Sequence, residues 1–264
     1  VGFNLPLVRH YVSQVVLNNS VRIMINTMVG DSAAGMYSLA YSLAMIMTLF
    51  NTALMNTLTP WMYQKIKDKD IKALAPVGYM SLAIVAVVNL LLIMLAPEAV
   101  RIFAPASYYE AIYCIPPVAM GVLFLYSYDL FAKFAFYYEK TKLIMSASVL
   151  GAILNIILNY FGIKMFGYVA AAYTTLICYI LYSVFHYIVM TKICNTFLGG
   201  AKPYNTKFLI VFALVFLAFG FLMLFTYTFP VIRYCVIAAT VIVMVWKRKM
   251  IIESLQKIMT LRKK

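Results

Sequence analysis

Hydrophobic residues run along this chain in long blocks broken by short polar interruptions, without the alternation that marks half-buried strands. A helix needs about 20 mostly apolar residues to cross the hydrocarbon core of a bilayer. Eight blocks reach or approach that length: 5–27, 36–61, 76–96, 111–136, 143–163, 168–190, 208–227 and 231–246. The third and fifth are the purest, with no charged residue in 76–97 or in 143–163. The eighth is short, so it must tilt little or let Arg233 snorkel to the interface. The first is the weakest, because it carries a ladder of polar groups. Runs this long that do not alternate exclude β-barrel spans. The pattern predicts an all-α, polytopic transmembrane helix bundle of about eight spans.

Composition sharpens this picture. Of 264 residues, 65% are hydrophobic and 11% are charged, against about a quarter charged in ordinary soluble domains. A soluble fold of this size could not cover its core with so little polar surface. The formal charge of +14 raises the question of nucleic acid. The cations stand in short clusters between apolar blocks, which favours a membrane and argues against a nucleic-acid partner. Cys114, Cys178, Cys194 and Cys235 are scattered without metal or redox spacing and read as small hydrophobes. The two histidines stand in no His/Cys/Asp/Glu cluster, so no metal site and no cofactor are expected. The chain opens on Val1 with no signal peptide ahead of the first block, as expected of a fragment.

The loops carry an orientation signal. Lys65, Lys67, Lys69 and Lys72 follow the second block, Lys140 and Lys142 the fourth, Lys192, Lys202 and Lys207 the sixth, and seven Lys/Arg fill the tail. The alternate loops hold only Arg101, Lys164 and Arg233. With Arg9 included, one side has 17 Lys/Arg and the other 3, while Arg22 and Lys133 fall inside blocks. Positive residues stay in the cytoplasm, so both chain ends are expected there. An even number of spans agrees with that. The tail, 247–264, mixes apolar and basic residues and suits either a stop-transfer anchor with a solvated end or a helix on the anionic inner leaflet. The plain anchor is the preferred reading.

Polar groups inside a span cost about 2.5–3.5 kcal/mol for a charge at the helix centre, so they invite a function. In the first block His10, Gln14, Asn18, Arg22 and Asn26 recur every four residues, flanked by Arg9 and Asn19. On a helix these groups form one slowly drifting stripe about 24 Å long. It must face other helices or a water-filled cavity. Interhelical hydrogen-bonding needs only one or two such groups; a stripe this long favours a cavity lining for an anionic, hydroxyl-rich substrate. In the fourth block Asp129 and Lys133 form an i, i+4 pair, acid first, the better order for a helical ion pair. A structural pair is at least as good a reading as a coupling or substrate role. Ala40, Ala44, Thr48, Thr52 and Asn56 share one face, and Ser148, Gly151, Ala152, Asn155 and Asn159 another. Both read as packing surfaces for close helix approach. Pro116 and Pro117 inside the fourth block predict a kink. There is no Ser/His/Asp set, no glycine-rich phosphate loop and no paired carboxylates, so an enzyme is not expected.

Two stretches carry a resemblance. The segment LNNSVRIMINTMVGDSAAGMYSLAYSLA, from Leu17, resembles the start of the second half of polysaccharide (O-antigen and capsule, Wzx-type) flippases. That group is a branch of the multidrug/oligosaccharidyl-lipid/polysaccharide exporter superfamily. The segment GAILNIILNYFGIKMFGYVAAAYTTLICYILY, from Gly151, looks like the same group's pattern of an Asn-rich helix, a Phe-Gly turn and a small-residue helix. Relatives often place an acid immediately before the arginine; here Val21 stands there.

The resemblance implies two six-helix lobes related by pseudo-symmetry. Residues 1–190 would be the second lobe, 191–207 a cytoplasmic linker, 208–246 an added C-terminal hairpin and 247–264 a basic cytoplasmic tail. The N-terminal lobe would lie outside this segment of the polypeptide. It also implies a bacterial cytoplasmic-membrane transporter that flips undecaprenyl-pyrophosphate-linked oligosaccharide by alternating access for surface polysaccharide biosynthesis. Partners would be that lipid-linked oligosaccharide, membrane lipids and the polysaccharide polymerase machinery. By this analogy Arg22, with Lys133 or Arg9, meets the pyrophosphate, and Gln14, Asn18 and Asn26 meet sugar hydroxyls. Arginine can clamp phosphate oxygens through two parallel hydrogen bonds, and amides both donate and accept. The competing readings are an ion-coupled drug exporter, a lipid II flippase, and a truncated membrane scaffold that does not transport.

Overall fold

The computed structural model describes residues 4–249 and positions 252, 253, 256 and 260. Its helices are α1 (Asn4–Met28), α2 (Asp31–Lys67), α3 (Leu74–Met94), α4 (Ala96–Phe103), α5 (Ile115–Tyr137), α6 (Thr141–Phe166), α7 (Ala170–Phe197), α8 (Thr206–Phe225) and α9 (Pro230–Trp246). Short 3-10 turns cover Ile71–Ala73, Ala106–Tyr113 and Thr226–Thr228. Among the described residues there is no strand. Most of the basic tail, and with it the choice between anchor and surface helix, lies outside the described residues.

Among the described residues six helices are long and apolar enough to cross a membrane: α2, α3 with the turn before it, α5, α6, α7, and α8 with the turn after it. The other two expected spans differ. α1 has the length, 25 residues, but too many polar groups for that standard. α9 has the composition but only 17 residues. Between α3 and α5, where a plain loop was expected, the chain folds into α4 and the 106–113 turn. α4 is short and two-faced: Ala96, Pro97 and Val100 are buried while Arg101, Ile102 and Phe103 are exposed.

α5 is the axis of the bundle. Before the Asp129–Lys133 pair near its end it is apolar on nearly all sides, as a helix surrounded by other helices must be, and it packs on α7, α2 and α3. α6 lies against α1 and α7. Close approach of α5 to α7 depends on Gly121. A Cβ added there would stand 2.7 Å from Cδ2 of Tyr179, a ring that is fully buried. Backbones that approach this closely gain van der Waals contact in place of the hydrophobic driving force that lipid removes. Gly121→Val is therefore expected to destabilise by about 1–3 kcal/mol, the usual cost of overpacking. The melting temperature of the purified protein in detergent checks it; a value equal to the parent's would show that α5 and α7 have room to part.

The two ends of the bundle are chemically different. At one end Tyr63 meets Tyr137 (5.5 Å between ring centroids), Tyr138 stacks on Phe197 (4.5 Å) and Tyr79 faces Tyr204 (6.0 Å). That gathers the ends of α2, α5 and α7 with the start of α3 and the α7–α8 linker. The lysines 65, 67, 69, 72, 140, 142, 192, 202 and 207 lie at this end. α2 and α5 stop there alike: Asp70 N–H bonds Lys65 O (3.0 Å) and Lys140 N–H bonds Ala135 O (2.8 Å), with Lys69 and Glu139 in the left-handed region. Tyr204 plugs the linker into the bundle, and burial holds its phenol above the ordinary value, so the plug stays neutral. At the opposite end the Tyr168 hydroxyl reaches Met36 Sδ (3.5 Å), and the Tyr227 hydroxyl donates to Ile93 O (2.5 Å).

Three expectations need correction. Pro116 and Pro117 start α5 instead of kinking it; the first turn has no intrahelical acceptor for their missing N–H groups, so proline costs nothing there. The α2 face drifts: Ala40 and Ala44 are buried and Thr48 is half-buried, but Thr52 and Asn56 are exposed. A step of four advances about 400°, so the contact passes to Asn51, Met55 and Leu58. Asn51 there donates to Val122 O of α5 (3.2 Å). Arg233 does not snorkel: it is 2% exposed and ion-paired with Glu98 of α4. By contrast, Ser148, Ala152, Asn155 and Asn159 are buried in the α6 contacts, with Ser148 2.7 Å from the Tyr182 hydroxyl and Thr174 donating to Asn159 Oδ1 (2.8 Å).

Candidate functional site

A turn of two residues, Val29 and Gly30, folds α1 back along α2. Positions four apart on α1 then face positions three and four apart on α2. The result is a cleft of about 500 Å³ lined by Arg22, Asn26, Asp31, Gly35 and Ser38 among others. It lies at the end of the bundle away from the lysines. Asn26 Nδ2 donates to Asp31 Oδ1 (2.7 Å), so the Asp31 carboxylate is held by an amide. The Arg22 guanidinium lies over the Tyr41 ring, 4.8 Å from its centroid. Tyr41 is fixed in turn: its ring stacks with Tyr37 (5.9 Å) and its hydroxyl is 3.2 Å from that of Tyr179. The Tyr37 hydroxyl is 3.3 Å from Thr175 Oγ1. Both tyrosines are thereby anchored to α7.

Arg22 is only half-buried, yet its Nε is buried without a hydrogen-bond partner. Among the described residues no carboxylate stands within ion-pair distance of it. Position 21, where an acid would pair with it, is Val21, 2% exposed in the core. A guanidinium seated on an aromatic face, with donors left over and open space beside it, suits a planar, multidentate anion. The amide of Asn26 and the hydroxyl of Ser38 can donate and accept beside it.

The other expected site residues divide. Arg9, His10, Gln14 and Asn18 belong to α1, but their side chains lie outside the described residues. Asn19 is exposed and donates to Val15 O (2.9 Å). Asp129 and Lys133 are 2.7 Å apart on α5, at the lysine-rich end. The fold thus unites Arg22 with Asn26 and keeps both away from the Asp129–Lys133 pair. Sequence reasoning missed Asp31, Tyr37 and Tyr41. Tyr37 and Tyr41 are four apart on the face of α2 that carries Ala33, Ala40 and Ala44, but that spacing alone does not separate them from the chain's other tyrosines.

A protein-family model described as MatE matches residues 6–161. The chain belongs to the MatE family. Three solved structures share its fold. An outward-facing multidrug resistance MATE family transporter of the MOP superfamily is 19% identical, with TM-score 0.59, over 77% of this chain and 46% of that one. A Vibrio cholerae MATE transporter in its bent form is 18% identical, with TM-score 0.59, over 87% and 53%. A Pyrococcus furiosus MOP superfamily transporter, described as having a binding pocket of reverse polarity that suggests a different function, is 16% identical, with TM-score 0.54, over 98% and 61%. A curated Haemophilus influenzae relative, Lsg locus putative protein 1, is 26% identical over 163 residues, 59% of this chain and 39% of the relative. The chain therefore spans about two fifths of that relative and about half of the first two transporters. This MatE chain is a multi-pass membrane protein with a transporter fold, and the MATE proteins it resembles in structure are transporters, not enzymes.

Proposed function

We propose that this chain is the second lobe of a flippase that moves a lipid-linked oligosaccharide across the bacterial cytoplasmic membrane by alternating access, for surface polysaccharide assembly. The observation that carries the reading is the Arg22 cleft: a guanidinium with no carboxylate partner among the described residues, on the Tyr41 ring, beside amide and hydroxyl groups. Such a surface suits a pyrophosphate followed by sugar hydroxyls. Asn26 borders the cleft, and the sequence carries His10, Gln14 and Asn18 at the same four-residue spacing before Arg22. The Asp129–Lys133 pair is closed, which supports a structural ion pair near the lysine-rich face. In this reading that face is the cytoplasmic one, which the distribution of its cations supports, and both chain ends lie inside. The undecaprenyl-pyrophosphate-linked substrate, the N-terminal lobe and the polymerase machinery remain the partners of this reading.

A second reading is the export of cationic drugs, which the Asp31 carboxylate in the same cleft favours. Expression of the gene that carries this segment, in a strain lacking its own polysaccharide flippase, separates the two. Surface glycan stained on intact cells is expected to return. Drug resistance gained without surface glycan would replace the flippase by the exporter. Neither phenotype, at normal protein level, would remove both.

A further inference from the structure

The first half of α8 packs only partly on the lobe: Leu209, Phe212 and Ala213 are half-buried against it, while Ile210, Val211, Leu214 and Val215 are exposed. Its buried residues, Phe216, Gly220 and Met223, all lie in its second half. There Gly220, lacking a Cβ, receives the side chain of Met120 from α5. At the lysine-rich end the ties are a ring contact, Tyr79 with Phe208 (4.2 Å), and a hydroxyl pair, Tyr187 with Thr206 (2.6 Å). Between these two attachments an apolar groove of about 310 Å³ opens among α5, α7 and α8.

Its dimensions restrict what can fill it. The groove follows α8 from Thr206 to Leu217, about 16 Å at 1.5 Å per residue. That is about half of the roughly 30 Å hydrocarbon core, the depth of one leaflet. Exposed walls such as Val184, Ile210 and Leu214 match a hydrocarbon chain, and leaving them bare would forfeit their dispersion contacts. The mouth opens beside the 191–207 stretch, which carries Lys192, Lys202 and Lys207 and no acid. All three lysines are exposed. Basic residues at this depth attract anionic headgroups.

We propose that the groove holds one acyl chain of an anionic phospholipid from the lysine-rich leaflet, with its phosphate at Lys202 and Lys207 beside the Tyr187–Thr206 hydroxyl pair. The lipid fills the gap behind α8 and couples the hairpin to the lobe.

Native mass spectrometry of the chain purified in mild detergent tests this. Phosphatidylglycerol and phosphatidylethanolamine with the same acyl chains are added singly at equal concentration. One phosphatidylglycerol per chain is expected to be retained several-fold over phosphatidylethanolamine. Lys202→Gln and Lys207→Gln should each weaken phosphatidylglycerol retention about fivefold and leave phosphatidylethanolamine unchanged. Ala213→Trp, which fills the groove from α8, should abolish retention of both. Equal retention of the two lipids, indifferent to the lysine variants, would overturn the headgroup site even if Ala213→Trp failed to fold. Undiminished retention in a folded Ala213→Trp protein would overturn the groove. Recovery of an isoprenoid phosphate in place of phospholipid would overturn the occupant. No transport is measured, so failure here leaves the flippase reading standing, and the converse holds too.

Discussion

Arg22→Ala is expected to abolish surface glycan in complemented cells while the protein level stays that of the parent. Truncating one side of a desolvated, hydrogen-bonded charge pair costs about 2–5 kcal/mol, at least a thirtyfold loss of apparent affinity at the low end. The fold should barely notice. Arg22 is half-buried and its packing partner is the Tyr41 ring, a contact worth about 0.5–1 kcal/mol at a partly exposed site. Arg22→Lys separates charge from shape. Lysine keeps the cation but loses the planar fork, so partial activity is expected. Full glycan from Arg22→Ala would end the anion role of this residue. Loss of glycan matched by loss of folded protein would make Arg22 a structural group.

Arg233→Ala is expected to give the largest loss of stability in the chain. Arg233 is 2% exposed and bonds Glu98 Oε1, which also accepts from the Tyr234 hydroxyl (2.6 Å). The guanidinium lies 5.1 Å from the Tyr234 ring centroid and 5.9 Å from that of Tyr227. This cluster fastens the start of α9 to α4. Removing one partner of a buried pair leaves the other charge uncompensated, at about 3–5 kcal/mol. Glu98 is 26% exposed, which argues for the lower figure. A loss of about 3 kcal/mol corresponds to roughly 6–12 °C in melting temperature for a domain of about this size. The double variant Arg233→Leu, Glu98→Leu should recover most of that, since apolar replacements of a buried pair are often neutral. Thermal unfolding in detergent reads both. A single variant within 1 °C of the parent would show the pair to be solvated.

The same two residues show where sequence reasoning stops. Arg233 was visible as an odd charge at the edge of a short apolar block, and snorkelling was the sensible expectation. Its partner is Glu98, 135 positions away, on a helix whose eight residues are too few to register as a span. The proline pair at 116 and 117 likewise reads as a kink only if the helix has already begun. Asn51 and the exposed Thr52 and Asn56 show how an every-four pattern loses register over several turns of a long helix.

Within the site the division runs the same way. Arg22 and Asn26 stand out from sequence because polar groups in an apolar block must find a wet or polar neighbour. The Tyr37–Tyr41 platform does not, because tyrosines are common in this chain and only the α2–α7 contact selects these two. Nor does the capture of Asp31 by Asn26, which depends on how the 29–30 turn closes.

The sequence by itself determined the all-helical, membrane-spanning class, the basic and non-basic ends, and the every-four spacing of polar residues in the first block. Each of these follows from local cost: an apolar block must leave water, and a charge must avoid lipid. Only the tertiary structure decided that α5 is the axis, that Arg22 rests on the Tyr41 ring with no carboxylate within ion-pair distance among the described residues, that Glu98 meets Arg233, and that a groove opens among α5, α7 and α8. Those are pairings between distant positions, set by which surfaces fit when helices close to contact, and no local pattern encodes them.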